Sequence, residues 1–405
     1  MRSLPRSRLT VCLLLISAAA YSQEQTLDLK QTLAVAEASN LELRAARQQR
    51  AVALAGLKIA GQLPNPTISF AGARDLPHES LLWDQPIELG GKRGRRKAVA
   101  EEEQKAAEND ITIFSRQLRH RTREAFYHAL LSREQTRQSK AALDLAVKIH
   151  DVVQQRFDAG DVAQIEVIQA EVEAARATTD YETIVQAEKI ADAQLAALLN
   201  RSLDQRLNID GRLETLPKAD TLQSLTEIAL RSNADVLRTT QEMQIEQRRL
   251  ELAKALRIPN VDLQAGVDLN APPDFKVGPR GQIAVALPLF SHGQGEIAQS
   301  SARLELFRLA LQAQKNNASV QVIAAYYDYL AKVRQAGQFG EQIVPKTEKL
   351  EAMAEDSYRS GKSNLLVLID AQRRLNETRK AYLDSLFAAQ SSFAGLEEVV
   401  GTSFE

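Results

Sequence analysis

The chain has 405 residues, 44% of them hydrophobic and 25% charged, with only 18 Gly and 12 Pro. Those fractions exclude a disordered chain and a polytopic helical membrane protein, and too little Gly and Pro is present to build linkers, so one continuous architecture is expected. A formal charge of -1 gives no electrostatic reason to expect nucleic acid, and 5% aromatics beside abundant Ala, Leu, Gln, Glu and Arg favours long helices.

In chain order, Arg2, Arg6 and Arg8 precede the apolar run Val11 to Ala20 and the small residues of Ala20-Tyr21-Ser22. That pattern predicts a secretory signal over 1–22, cleaved near Ser22. Removal takes away Cys12, the one cysteine, so the mature chain has no disulfide, no thiolate catalysis and no Cys-based metal site. Helices are expected at 29–60, 95–156 and 162–200, then at 222–256, 295–358 and 364–400. Between them the alternation of apolar and other residues predicts strands at 67–73 and 81–89, and at 261–269 and 282–290, with connecting loops at 74–80 and 270–281. No later run reaches 18 apolar residues, so no helix is expected to cross a bilayer. Strands of about nine residues can cross when tilted, but four strands cannot close a barrel, so several chains would have to share one.

The chain repeats on itself. Ser39-Asn40 falls on Ser232-Asn233, Pro64-Asn65 on Pro259-Asn260, Pro86 and Gly91 on Pro288 and Gly293, and from about 156 the shift is a constant 201. Two halves follow, 23–205 and 206–405. Ala170, Ala174, Ala177, Tyr181, Ile184, Glu188, Ala191, Leu195 and Leu198 keep a 4-3 spacing, as do the positions 201 further on, which makes a small-residue heptad seam suited to a sheath of helices. Each half turns between long helices at a tip, 156–162 and 357–364, with an aromatic three residues before a glycine: Phe157 and Gly160, Tyr358 and Gly361. Asp161 and Ser363 are placed to cap the helices that follow.

Enzymatic readings fail on spacing. Ser360-Gly361-Lys362-Ser363 lacks the first glycine and the strand of a phosphate loop, and Gly90-Gly91-Lys92-Arg93-Gly94-Arg95-Arg96 lacks the dinucleotide order and reads as a joint between strand and helix. No two of His78, His120, His128, His150 and His292 share i,i+3 or i,i+4 spacing, so no metal site is expected. No cofactor and no catalytic triad is expected either.

The repeat, the Pro-Asn lead-ins, the exits Gln85-Pro86-Ile87-Glu88-Leu89-Gly90-Gly91-Lys92-Arg93 and Leu287-Pro288-Leu289-Phe290-Ser291-His292-Gly293, and the two aromatic-x-x-Gly tips occur in one order. In that order the chain resembles the TolC-like outer-membrane efflux factors, and the Glu88 to Arg93 wording looks most like the CzcC-like branch serving heavy-metal RND pumps. The resemblance implies a mainly α chain with a small β part, four transmembrane strands per chain completing a trimeric twelve-stranded barrel in outer-membrane lipid, and a long helical periplasmic barrel. It implies a homotrimer in a Gram-negative outer membrane, acting as a passive exit duct for a periplasmic adaptor (membrane fusion protein) and an inner-membrane RND-type pump, with heavy-metal cations as candidate cargo. By the same resemblance Asp370 and Glu166 form the channel constriction, Val367 standing where a second acidic residue is often found. Arg156, Phe157, Gly160 and Asp161, with Tyr358, Gly361, Lys362 and Ser363, form adaptor-docking tips, Tyr358 also holding the closed state and Ser363 replacing a frequent arginine. Pro86, Gly90, Gly91, Pro288 and Gly293 mark the barrel-to-helix joints. The alternative is a non-conducting periplasmic helical scaffold or adaptor whose strands pack as a soluble sheet; polar faces on the strand pairs would separate the two.

Overall fold

The computed structural model describes residues 26–404 apart from 205, and the expected signal at 1–22 lies outside the described residues. Two helices, α1 (Leu29–Ser39) and α2 (Leu41–Ala60), lead to a hairpin of β1 (Thr67–Gly72) and β2 (Glu79–Ile87), followed by α3 (Lys92–Asp158) and α4 (Gln164–Leu198). A similar order then runs through α5 (Leu222–Ser232), α6 (Ala234–Leu256), β3 (Val261–Ala271), β4 (Phe275–Val285), α7 (Gln294–Gln338), a π-helical turn (Phe339–Ile343), α8 (Val344–Arg359) and α9 (Leu365–Val400). The strands form one antiparallel sheet in the order β1-β2-β3-β4, leaving one edge each of β1 and β4 without a neighbour.

At 67 residues, α3 is about 100 Å long and cannot be covered by one compact core. Separate clusters are spaced along it instead. Phe126, Leu195, Leu199 and Leu386 pack with Leu207, Ile209 and Leu213 of the segment between the halves, while Val153, Ala170, Tyr358, Leu365 and Ile369 pack at the helix-hairpin end. A third cluster joins Leu225 of α5 and Val322 of α7 to Leu396 and Val400 of α9. None of the seam residues on α4 or α9 is exposed, so the 4-3 pattern does mark the packed face of each helix.

Two single helices expected from the sequence are each broken at an asparagine. Asn40 Oδ1 accepts from Leu43 N at 3.0 Å, capping α2, while its Nδ2 donates to Leu198 O at 3.1 Å, closing the end of α4. Asn233 does the same for α6 and α9, accepting from Asp235 N at 3.0 Å and donating to Val399 O at 2.8 Å. One amide thus satisfies orphan groups at the ends of two helices. Asn40→Ala and Asn233→Ala should each lower stability by about 1–3 kcal/mol, the sum of a lost cap and a buried carbonyl left unpaired. Thermal melts of the two variants check this; unchanged melting would show the bonds to be idle.

The helix expected at 295–358 is also interrupted. Pro345 has no N–H to give the carbonyl four residues before it, and the ladder widens to the π turn just ahead of it, at Phe339–Ile343. The last strand differs more: β4 occupies Phe275–Val285 rather than 282–290, and its link to β3 shrinks to Pro272-Pro273-Asp274. Pro279, read as loop, lies within β4, an outer strand of the sheet, where proline is tolerated.

Candidate functional site

The register of the sheet sorts its side chains into two unlike faces. Ile68 and Phe70 of β1 lie opposite Trp83 and Leu81 of β2; Trp83 and Leu81 lie opposite Ala265 and Val267 of β3; and Val261 and Leu263 lie opposite Val285 and Ile283 of β4. Residues directly opposite share a face, so these make one apolar surface, broken only by Glu79 near the hairpin loops and Gln85 near the helices. The other face carries Thr67, Ser69, Ser80, Asp84, Asp262, Gln264, Asp268, Arg280 and Gln282, with Lys276 toward the hairpin end. On it Gln264 Nε2 donates to Asp84 Oδ2 at 3.1 Å, and Arg280 sits 3.6 Å from Asp268. The signal was present in Val261-Asp262-Leu263-Gln264-Ala265-Gly266-Val267-Asp268, but only the register shows that the polar residues of the four strands fall mainly on one side, Glu79 and Gln85 of β2 excepted. Ile68, Phe70, Val277 and Ile283 are all exposed in the single chain. A sheet with one apolar and one polar face suits lipid outside and water inside.

At the joints, Gly91 (φ 68°, ψ 21°) and Gly293 (φ 75°, ψ 17°) are the left-handed N-caps of α3 and α7. Gly90, also left-handed at φ 72°, packs so closely on Ile258 that a Cβ would lie 2.6 Å from its Cδ1. The neighbouring basic residues are engaged rather than free for phosphate. Lys92 Nζ donates to Asn260 Oδ1 at 2.5 Å, Arg93 Nε to Gly61 O at 2.6 Å, and Arg95 pairs with Glu251 at 2.6 Å. Arg96 grips both oxygens of Glu88, and these hydrogen bonds hold the Glu88 carboxyl below its ordinary value of 4.5. A depressed carboxylate contributes stability that is complete above its unfolded value and lost as pH falls through the lower folded one. Acidification below about 4.5 should therefore weaken this joint, and Glu88→Gln should flatten the acid limb of the melting curve; an identical acid limb in the variant would exclude the pair as its source.

The two tips have one backbone form. Asp161 N donates to Arg156 O at 2.8 Å and Gly160 N to Phe157 O at 2.9 Å; Lys362 N donates to Ser357 O at 2.8 Å and Gly361 N to Tyr358 O at 3.0 Å. These are paired Schellman closures with left-handed glycines, Gly160 at φ 82° and Gly361 at φ 69°. The capping expected after each tip is not found: α4 begins after Ala163 with no side-chain cap, and α9 is capped by Asn364, whose Oδ1 accepts from Val367 N at 3.2 Å, rather than by Ser363. The cap position thus lies two residues beyond Asp161 at the first tip and one residue beyond Ser363 at the second.

The matching aromatics part company in the fold. Phe157 is 37% exposed, whereas Tyr358 is buried in the tip cluster. The Arg156 guanidinium lies over the Tyr358 ring at 5.5 Å, and the Tyr358 hydroxyl donates to Glu166 Oε2 at 3.3 Å, so three of the residues singled out meet in one contact bridging α3, α4 and α8. Burial, aided by the Glu166 charge, pushes the Tyr358 hydroxyl above its ordinary pKa, keeping it a neutral donor. Gly160, Asp161, Gly361 and Lys362 are exposed around it. Asp370 stands apart from this cluster: it is exposed on α9 and pairs with Arg374 at 2.8 Å. One turn on, Arg373 grips Glu173 of α4, an inter-helix pair with no spacing signal in the sequence. Among the described residues no three His, Cys, Asp or Glu converge as a metal site, and no helix is long and apolar enough to cross a membrane.

Residues 225–402 match the family model described as outer membrane efflux protein. The match spans most of the second half of the chain. It is 22% identical over 378 residues, 93% of this chain and 90% of the relative, to the cobalt-zinc-cadmium resistance protein CzcC of Cupriavidus metallidurans. To the pyoverdine export outer membrane protein OpmQ of Pseudomonas aeruginosa it is 21% identical over 353 residues, 83% of this chain and 71% of that one. The fold of the chain is similar to that of the outer membrane protein VceC of Vibrio cholerae with a TM-score of 0.75 at 18% identity, covering 93% and 97% of the two chains.

Proposed function

We propose that this chain is a member of the outer membrane efflux family and the outer-membrane duct of a tripartite export system, a passive exit for cargo delivered by an inner-membrane pump through a periplasmic adaptor. One observation carries the reading: a four-stranded sheet, apolar on one face and polar on the other, with both edges open. A spanning sheet must have no free edge in lipid, and three copies of four strands close a twelve-stranded barrel whose polar faces line water. The helices would continue the lumen into the periplasm, narrowing at the Arg156, Glu166 and Tyr358 contact, with Asp370 and its symmetry copies adding a ring of charge. The exposed tip residues Phe157, Gly160, Asp161, Gly361 and Lys362, with the half-buried Ser363 beside them, would receive the adaptor. The soluble-scaffold alternative gives no reason for an apolar sheet face left bare.

The cargo favoured is divalent metal cations. Its support is the likeness to a cobalt-zinc-cadmium resistance protein along nine-tenths of the chain, together with a lumenal face whose carboxylates, Asp84, Asp262 and Asp268, outnumber its cations, Arg280 and Lys276. A duct must hold its cargo weakly in order to release it, so selectivity would reside in the pump. A deletion strain tested for growth with cobalt, zinc, cadmium, nickel and copper, beside siderophores, dyes and hydrophobic antibiotics, decides it. Metal sensitivity restored by the gene is expected; sensitivity to organic compounds alone would overturn the metal cargo and leave the duct.

A further inference from the structure

Where the strands pass into helices, just beneath the apolar face of the sheet, the chain gathers cations that no carboxylate holds. Arg93 Nε donates to Gly61 O at 2.6 Å, and a Cβ on Gly61 would lie 3.6 Å from Lys97 Cδ, so both side chains lie over the end of α2, one turn from Lys58. All three residues are exposed. Among the described residues neither ammonium has a hydrogen bond or ion pair, and Arg93 uses its Nε alone. On α6, Lys254 and Arg257 are also exposed and unpaired among the described residues. Of the nearby carboxylates, Arg96 holds Glu88 and Arg95 holds Glu251, which leaves Glu101 and Glu296. The carbonyls at a helix end attract a cation or two, but they do not account for a band of this charge.

The band stands at the height of lipid headgroups. Leu63 and Leu89, between it and the strands, are exposed apolar residues. At 1.5 Å per residue, Arg93 and Lys97 lie about 3 and 9 Å along α3 from Gly91. A headgroup layer is about 5–7 Å thick on each side of a bilayer, and long basic side chains rest their stems on apolar surface while their charges reach water. Arg96 reaches back to Glu88, which continues the polar alternation of Asp84, so it marks the water-lined side of α3; Lys97 is turned about 100° from it, toward α2. The helix-hairpin tip is about 90 Å further along α3, so a partner docked there leaves this band uncovered.

We propose that Lys58, Arg93 and Lys97 cradle the phosphate of an anionic phospholipid in the periplasm-facing leaflet, fixing the depth at which the sheet sits. Two ammonium groups and the remaining fork of a guanidinium suit the oxygens of a phosphodiester. The exposed leucines beside them suit the start of its acyl chains, which an acidic protein or a free anion would leave bare.

The proposal rests on the reading of the sheet as membrane-spanning, and the test separates the two. Trp83, the one tryptophan of the chain, lies on the apolar face of β2. The purified full-length protein is reconstituted in equimolar phosphatidylglycerol and phosphatidylcholine, with brominated acyl chains on one lipid at a time, and Trp83 fluorescence is read. Brominated phosphatidylglycerol should quench the parent more strongly than brominated phosphatidylcholine. Lys58→Gln, Arg93→Gln and Lys97→Gln together should abolish that preference, and Lys58→Gln with Lys97→Gln, which leaves the Arg93 bond to Gly61 in place, should already weaken it. The charge-matched set Lys148→Gln, Lys189→Gln and Lys315→Gln, on exposed residues elsewhere, should keep it. Equal quenching of the parent by both lipids, or a preference that survives both sets at the joint, would overturn the cradle. So would loss of the preference in inorganic phosphate at matched ionic strength, which would mark a site for the free anion. No quenching by either lipid would overturn the spanning sheet itself.

Discussion

Replacing Tyr358 by alanine should open the periplasmic tip and raise single-channel conductance several-fold. The ring is buried where α3, α4 and α8 converge, under the Arg156 guanidinium and bonded to Glu166. Removing a buried aromatic of this size costs about 3–5 kcal/mol where the site cannot collapse, and here the loss falls on the contact that ties one hairpin to the other. Tyr358→Phe keeps the packing and loses one hydrogen bond, about 0.5–1.5 kcal/mol, so its effect should be small. Conductance of both variants beside the parent in planar bilayers checks the order; equal conductance for all three would remove this contact from the constriction.

A charge on the apolar face of the sheet should abolish outer-membrane assembly, while a charge one residue away should not. Leu263 is central on the apolar face of β3, and Gln264 faces the other side beside Asp84. Arginine facing lipid near the bilayer midplane costs about 2–4 kcal/mol per copy, and three copies would bear it together. Leu263→Arg is therefore expected to be missing from the outer-membrane fraction, and Gln264→Arg to assemble and shift ion selectivity toward anions. If Leu263→Arg assembled as well as Gln264→Arg, the apolar face would not meet lipid, and the soluble-sheet alternative would gain.

Much of this was legible in the sequence because long-range periodicity is what long helices and alternating strands require. The seam at Ala170 to Leu198 and its counterpart predicted the packed face of both helices, since a helix needs neighbours along its whole length. Breaks in the helices were not legible. Asn40 and Asn233 stood out as repeated residues, but capping one helix while closing another depends on a contact about 160 residues away. β4 was misplaced because Pro279 and Gly278 carry turn chemistry locally, and the pairing with β3 overrides it. At the tips, the shared aromatic-x-x-Gly wording did give one backbone closure twice, yet it could not tell Tyr358 from Phe157. Which aromatic is buried depends on the helix that each faces.

The duct itself is tested most directly by conductance of the purified protein in planar lipid bilayers, with the parent beside Tyr358→Ala. The account predicts discrete conductance steps, larger in the variant and selective for cations. A folded trimer that gave no steps in either form would contradict it.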